Sequence, residues 1–176
     1  HDAQLRRDVA IKLLRGSDRG RPGPSAGETV RTNAHVINEA RALAALAHRN
    51  IVAIHDVGMI DGLCFIVMEH VAGETLTQWT TSHHGTAARR AVLAQVAHGL
   101  AHAHDAGVIH RDVKPANVLV AGDRAVVVDF GIAAATAEAA AAAGQIGTPA
   151  YMAPEARRGE ALDARSDVFS FATMAY

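Results

Sequence analysis

The sequence has few aromatic residues, a single cysteine, almost no net charge and no long apolar run. Cys64 is the one cysteine in 176 residues, so no internal disulfide can form, and we expect a reducing compartment such as the cytoplasm. The formal charge of −1 gives no electrostatic reason to expect nucleic acid or an anionic membrane as a partner. No apolar run approaches the roughly 20 residues of a membrane span. These features predict a soluble chain, and they leave open a membrane anchor elsewhere in a longer protein.

The hydrophobic content predicts one globular domain with a core built from many small contacts. Hydrophobic residues make up 49% of the chain and aromatic residues 4%, so Leu, Ile and Val must supply most of the packing. Period-2 and helical spacing of the apolar residues predict the following elements. They are strands over 8–14, 51–58, 63–69, 118–120 and 125–128, and helices over 31–47 and 86–106, with a mobile alanine-rich segment over 133–144.

The most informative segment is the run of eight residues from His110 to Asn117, which is followed by Asp129-Phe130-Gly131. It places an acid, a lysine and an amide on one short loop, with a second acid twelve residues after its end. Phosphoryl transfer needs such groups, because it depends on positioning, on metal ions and on positive charge near the transferred phosphate.

This run resembles the catalytic loop of protein kinases, and Asp-Phe-Gly resembles their metal-binding turn. The resemblance implies that Asp112 accepts the proton of the incoming hydroxyl and that Lys114 steadies the transferred phosphate. It also implies that Asn117 and Asp129 supply oxygen ligands to Mg²⁺, with ATP as the phosphate donor. Lys114 is typical of the serine/threonine branch, and the alanine-rich composition suggests the bacterial kind.

Lys12 lies in Val-Ala-Ile-Lys, which resembles the kinase strand whose lysine contacts the α- and β-phosphates of ATP. Glu39, on the predicted helix, is the expected partner of that lysine. Glu28 is a second possible partner, but it lies in a loop rich in Gly and Pro. The alternative for Lys12 is a surface lysine near the end of an edge strand.

Residues 65–71 resemble the strand and hinge that bind adenine in protein kinases. The resemblance implies purine hydrogen bonds from the backbone around Glu69 and Val71, with Met68 at the back of the pocket. Ala10 and Leu119 would form the apolar walls. The alternative is an ordinary buried strand.

The nine residues from Gly147 to Glu155 resemble the end of a kinase activation segment, where Thr148 would bond near Asp112. Asp167 resembles the acid at the start of a central helix that anchors the catalytic-loop backbone; it could also be a simple helix N-cap, and the two roles are compatible. A further resemblance predicts an apolar column that links the two lobes, formed by Leu43, Ile54, His110 and Phe130.

The predicted fold is therefore α+β, a two-lobed protein-kinase-like domain that lacks segments at both ends. Residues 1–69 would form the remainder of a β-rich N-lobe, and residues 70–176 the hinge and part of a helical C-lobe. No glycine-rich loop precedes Lys12, and Glu155 would lack its usual arginine. An unpaired buried carboxylate is costly, so we expect these residues alone to fold poorly and to transfer phosphate slowly.

Regulation and histidine chemistry add two expectations. Between Gly131 and Gly147 the only hydroxyl is that of Thr136. We therefore expect that activation does not depend on phosphorylation in this segment. The charge partner of Arg111 would then be Glu138, or Arg111 would have none. His98 and His102 are spaced as zinc ligands on a helix could be, but no further ligand pattern accompanies them, which favours ordinary histidines.

The leading prediction is a protein serine/threonine kinase that uses ATP and Mg²⁺ and acts on serine and threonine hydroxyls of protein substrates. Two alternatives remain, a catalytically silent kinase-like scaffold and a small-molecule phosphotransferase of the same fold. The presence of Lys12, Asp112, Asn117 and Asp129 argues against the scaffold, although the missing glycine-rich loop leaves it open. The 147–155 segment, which suits peptide docking, argues against the small-molecule enzyme.

Overall fold

The computed structural model describes residues 6–14, 37–60, 63–82, 85–131 and 149–176. An antiparallel sheet forms the N-terminal part, with strands β1 (Val9–Leu14), β2 (Ile54–Ile60) and β3 (Leu63–Glu69) in the order β1-β3-β2. The register places Lys12 opposite Ile66 and Ala10 opposite Met68. β3 is the middle strand, and it ends at Glu69, where the predicted hinge begins.

A helical segment, α1, is described over residues 37–44 and packs against this sheet. Ile37, Ala40 and Leu43 recur every three residues, which puts them on one face of a helix. Ala40 and Leu43 are buried in the same core cluster as Cys64 and Ile66 of β3. Glu39 lies on α1, next to this apolar stripe.

The C-terminal part is mainly helical and carries a second small sheet. Its first two helices are α2 (Leu76–Ser82) and α3 (Thr86–Asp105), and the sheet has the order β4-β5-β6, with β4 (Glu74–Thr75), β5 (Val118–Ala121) and β6 (Arg124–Val127). Val92, Val96, Leu100 and Ala103 form the buried stripe of α3. Gly107, at φ 75°, ends α3 because this left-handed conformation lets Val108 N donate to Ala103 O at 2.9 Å. The chain then enters the His110–Asn117 loop.

The last part of the chain contains two further helices, α4 (Pro154–Arg157) and α5 (Ala164–Ala175). Asp163 caps α5 by accepting a hydrogen bond from Arg165 N at 2.8 Å. The buried face of α5 is unusually polar, with Ser166, Asp167 and Ser170. Such residues are buried only with partners, so this face must serve another segment.

Asn50 joins the two parts of the molecule. Its side-chain Nδ2 donates to Ala125 O at 2.7 Å and to Gln95 Oε1 at 2.9 Å. Val127 N donates to Asn50 O, and Val52 N donates to Val127 O. A Cβ on Gly99 of α3 would lie 2.8 Å from Asn50 O, so the loop before β2 can approach the helix only at a glycine.

Most of the predicted elements are present, with shifted ends. The strand predicted over 51–58 is β2 at 54–60, and the helix predicted over 31–47 ends at 44, with its start outside the described residues. The short β4 and α2 were not predicted. Residues 15–28 and 133–144 also lie outside the described residues. Among the helices that are described, none has the length and apolar character of a membrane span.

Candidate active site

Asp167 holds the backbone of the predicted catalytic loop. Its carboxylate is 1% exposed and accepts from His110 N at 2.7 Å and from Arg111 N at 2.8 Å. His104 of α3 contacts the same carboxylate through Nε2 at 2.8 Å. The predicted anchoring role of Asp167 is thus confirmed, and the N-cap alternative is wrong because Asp163 caps the helix. These bonds also support a left-handed Arg111, whose φ is 68°.

His110 is buried completely and is held as a neutral imidazole. Burial lowers the pKa of His110, an effect that the carboxylates of Asp167, Asp112 and Asp129 oppose. Its Nε2 contacts Val128 O at 3.0 Å, and its Nδ1 contacts Asp112 N at 3.2 Å. A carbonyl can only accept and a backbone N–H can only donate, so the proton lies on Nε2. His110 therefore bridges Asp112 to the segment that ends in Asp129.

The side chains of Asp112, Lys114 and Asn117 meet at one carboxylate oxygen. Asp112 Oδ2 accepts from Lys114 Nζ at 2.7 Å and from Asn117 Nδ2 at 2.9 Å. Asn117 Nδ2 also donates to Asp112 O at 2.8 Å, which fixes the amide in the 3-10 turn Pro115–Asn117. The structure thus brings together the predicted acid, lysine and amide, with both side-chain bonds on Asp112 Oδ2 rather than on Oδ1.

Lys12 and Asp129 form an ion pair across the site. Lys12 Nζ lies 2.9 Å from Asp129 Oδ1, and the two side chains are 34% and 47% exposed. Asp129 has a φ of 58°, a left-handed conformation that aspartate tolerates better than most residues. Asn117 presents the amide oxygen Oδ1 and Asp129 a second carboxylate oxygen, and Mg²⁺ prefers such hard oxygen donors together with phosphate and water. The residues present therefore fit the predicted magnesium site.

The structure corrects the predicted ion pair between Lys12 and Glu39. Glu39 Oε1 instead accepts from Arg111 Nη1 at 2.6 Å, while Lys12 pairs with Asp129. The physical reason is that two cations and two carboxylates can be matched in more than one way. The position of α1 decides between the pairings, and here α1 brings Glu39 to the catalytic loop.

The same contact corrects the expectation for Arg111. The guanidinium of Arg111 is 26% exposed and the Glu39 carboxylate is 17% exposed, so the pair is largely buried. Arg111 therefore has a partner among the described residues, and that partner is Glu39, which the sequence analysis had assigned to Lys12. Glu138 and Thr136 lie outside the described residues.

A small cavity that is partly open to solvent lies next to the Lys12–Asp129 pair. Met68 lines it, as do Leu43, Ile54 and Phe130, and the place of Met68 behind an adenine stays a prediction. Phe130 packs against the His110 ring with a centroid distance of 4.5 Å. The predicted column is therefore in contact at His110 and Phe130, and Leu43, Ile54 and Phe130 border the cavity. The other predicted adenine contacts do not line this cavity; they are Ala10, Glu69, Val71 and Leu119.

Glu69, at the end of β3, makes a contact that the sequence analysis missed. Arg124, at the start of β6, binds both oxygens of the Glu69 carboxylate, through Nη1 and through Nη2, the latter at 3.1 Å. The bond from Arg124 lowers the pKa of Glu69, and the bond to Glu69 raises the pKa of Arg124. Fifty-five residues separate the two in sequence, and no local pattern could indicate the pairing.

Glu155 has a partner, contrary to the expectation of an unpaired carboxylate. Ser166 Oγ of α5 donates to Glu155 Oε1 at 2.7 Å, and this bond is the main reason that the pKa of Glu155 is lowered. The neighbouring Ser170 is also buried, and it donates to Ser166 O. The polar face of α5 thus forms hydrogen bonds both to Glu155 and to the backbone of the catalytic loop. Thr148 lies outside the described residues.

Comparison with protein families gives one match over nearly the whole chain. Residues 3–176 match the family described as protein kinase domain. The chain is 42% identical to the serine/threonine-protein kinase PknB of Mycolicibacterium smegmatis, over 99% of this chain and 28% of that protein. It is 38% identical to the probable serine/threonine-protein kinase SCO3848 of Streptomyces coelicolor, over 100% of this chain and 27% of that one. The chain thus spans little more than a quarter of these relatives.

Solved structures give the same fold. The kinase domain of Mycobacterium tuberculosis PknI matches with a TM-score of 0.71 and 30% identity, over 95% of this chain and 60% of that one. A crystal structure of Rad53 in complex with AMP-PNP matches with a TM-score of 0.70 and 26% identity, over 96% of this chain and 40% of that one. The predicted α+β arrangement, with a β-rich N-terminal lobe and a helical C-terminal lobe, is confirmed.

Proposed function

The chain belongs to the protein kinase family, and we propose that it transfers the γ-phosphoryl group of ATP to serine and threonine hydroxyls of protein substrates. The observation that carries this proposal is the cluster of Asp112, Lys114 and Asn117 on a loop anchored by Asp167, facing the Lys12–Asp129 pair. Kinases named for serine and threonine among the relatives support the choice of substrate hydroxyl. Nothing in these comparisons supports a catalytically silent scaffold.

The geometry supports a direct role for Asp112 in the transfer. The incoming hydroxyl donates to Asp112 Oδ1, which aligns the hydroxyl oxygen with the γ-phosphorus. A new O–P bond forms, the bond between the γ-phosphorus and the β–γ bridging oxygen breaks, and ADP leaves with that electron pair. The hydroxyl proton passes to Asp112 and then to solvent.

Two lysines would place positive charge on either side of the transferred group. Lys114 Nζ, now 2.7 Å from Asp112 Oδ2, can turn to the γ-phosphoryl oxygens as their charge develops. Lys12 would leave Asp129 to contact the α- and β-phosphates. The sequence contains these two lysines and no other, and each of the two proposed phosphate contacts is assigned to a different one.

Asn117 and Asp129 are the proposed magnesium ligands. Bound Mg²⁺ neutralises phosphate charge and orients the triphosphate. The exchange of Lys12 from Asp129 to the nucleotide would leave both carboxylate oxygens of Asp129 to a metal. Glu39 and the hinge residues Met68, Glu69 and Val71, with Ala10 and Leu119 as walls, complete the proposed site.

The proposed domain organisation and setting follow from the same residues. Residues 1–69 belong to the N-terminal lobe and 70–176 to the hinge and C-terminal lobe. The lone cysteine, Cys64, is buried and can form no internal disulfide, which is compatible with the reducing cytoplasm that we propose for this domain. Protein substrates are the proposed partners.

Phosphate transfer from radiolabelled ATP to a mixed protein substrate, followed by phosphoamino acid analysis, tests the proposal. We expect phosphoserine and phosphothreonine, and we expect Asp112→Asn to lower kcat by roughly 10²- to 10⁴-fold. Asp105→Asn, an exposed change at the end of α3, is the matched control and should have no effect. Equal activity of Asp112→Asn and wild type, or labelling of small molecules alone, would contradict the proposal.

A further inference from the structure

Arg124 joins three segments behind the proposed hinge. Its Nη1 and Nη2 hold the Glu69 carboxylate at the end of β3, and its Nε donates to Arg49 O at 2.6 Å, in the loop before β2. Glu69 N donates to Ala53 O at 2.8 Å, so the same loop also binds the backbone of Glu69. Glu69 is therefore fixed through both its main chain and its side chain.

The contact is of a kind that fixes geometry as well as charge. Arg124 and Glu69 are 30% and 26% exposed, and both oxygens of the carboxylate are engaged by one planar guanidinium. Two parallel charge-assisted bonds restrict the direction of approach, which a lysine ammonium cannot do. The position of the β3 end is thus tied to the first residue of β6.

β6 in turn positions the opposite wall of the proposed adenine site. In the β5–β6 ladder Arg124 lies opposite Ala121, and Leu119 lies opposite Val126. Arg124 and Leu119 thus belong to one four-residue hairpin ladder, while Glu69 begins the hinge. A single side chain links the two sides between which the base would lie.

We propose that Arg124 is a positioning residue for base recognition, which sets the hinge at Glu69 to Val71 relative to Leu119. This inference rests on the proposed function, since it assumes that adenine binds at the hinge. The competing explanation is an ion pair that only stabilises the fold. Loss of such a pair would weaken every nucleotide equally, whereas loss of a positioning residue weakens the nucleotide whose base uses the hinge.

The experiment compares the Kd values of Mg²⁺-ATP and Mg²⁺-GTP, measured by displacement of a ribose-labelled fluorescent ATP. GTP carries an acceptor where adenine carries its amino donor, so GTP cannot make the same hinge bonds. The variants are Arg124→Lys, Glu69→Gln and the double variant. Arg158→Lys is the matched control, because Arg158 also binds both oxygens of a glutamate, Glu160, on the exposed surface.

We expect Arg124→Lys and Glu69→Gln each to weaken ATP binding by roughly tenfold, because a small misplacement of binding groups is costly. GTP binding should change by less than about twofold, and the double variant should bind ATP no more weakly than either single variant. Arg158→Lys should match wild type for both nucleotides.

Three results would overturn the inference while leaving the proposed function intact. They are unchanged ATP binding, an equal loss for ATP and GTP, and failure of both Arg124→Lys and Glu69→Gln to give a cooperative thermal unfolding transition. The last would show that the pair serves the fold. A wild-type protein that does not bind Mg²⁺-ATP at all would remove the proposed function itself, and with it this inference.

Discussion

The two halves of the site are assembled in different ways. The loop half consists of residues 110–117 with Asp167, and the bonds that place Asp112, Lys114 and Asn117 are made within the C-terminal part of the molecule. The strand half consists of Lys12 on β1 and Glu39 on α1, and each of these crosses to a residue of the C-terminal part, Asp129 or Arg111. The loop half is therefore complete without a ligand. The strand half has charged groups that, in the proposed reaction, exchange partners when a nucleotide binds.

Removal of the Asp167 carboxylate should have the largest effect on the loop half. Asp167→Asn places an amide against two backbone N–H donors, His110 N and Arg111 N, in a buried site. We expect a loss of about 3 kcal/mol in the free energy of unfolding, because each unsatisfied buried donor costs about 1–3 kcal/mol. Urea denaturation measures this loss, and phosphate transfer should fall with it.

Asp163→Asn is the control on the same helix. Asp163 is exposed and caps α5 through Arg165 N, so its loss should cost far less than that of Asp167. Similar losses for the two variants would mean that the loop half is not held by Asp167.

In the strand half, Lys12→Met should lower activity while leaving stability almost unchanged. We expect kcat/KM for ATP to fall by about 10²-fold, since the charge that we propose to contact the phosphates is lost. The free energy of unfolding should change by less than about 1 kcal/mol, because the Lys12–Asp129 pair is partly exposed. Arg49→Met, an exposed change, is the control for loss of positive charge. If Lys12→Met lowered the free energy of unfolding as much as Asp167→Asn does, the proposed difference between the two halves would be wrong.

The pH dependence of stability should report the buried His110. The pKa of His110 in the folded protein lies below the 6.5 of an ordinary histidine, so below about pH 6.5 the unfolded chain binds a proton that the folded protein does not. Stability therefore falls as the pH drops below that value. We expect His110→Phe to flatten this decline in unfolding free energy between pH 7.5 and 5.5.

Val127→Ala provides the control for lower stability alone, because Val127 is buried and the change keeps every histidine. It should unfold more easily at both pH values and keep the wild-type slope. The pKa of His48 is also lowered, by burial and by His102 and His98. Stability in His110→Phe should therefore still depend on pH to some extent. An unchanged slope in His110→Phe would contradict the neutral buried imidazole.

The loop half could be predicted from the sequence, whereas the pairing in the strand half could not. Asp112, Lys114 and Asn117 lie within six residues, so their spacing alone brings them together once the loop is formed. The pairing of Lys12 or Glu39 depends on where α1 rests on the sheet, which no local pattern encodes. Arg124 was missed for the same reason, because its partner belongs to a distant strand.

The two lysines allow the most direct test of the division between the halves. NMR spectra of protein labelled with ¹³C at the lysine ε-carbons should give two signals, from Lys12 and Lys114. We expect Mg²⁺-ADP to shift the Lys12 signal alone, as Lys12 exchanges Asp129 for phosphate, and a non-hydrolysable Mg²⁺-ATP analogue to shift both signals. A Lys114 signal that responds to Mg²⁺-ADP as strongly as Lys12, or two signals that ignore both nucleotides, would contradict the account.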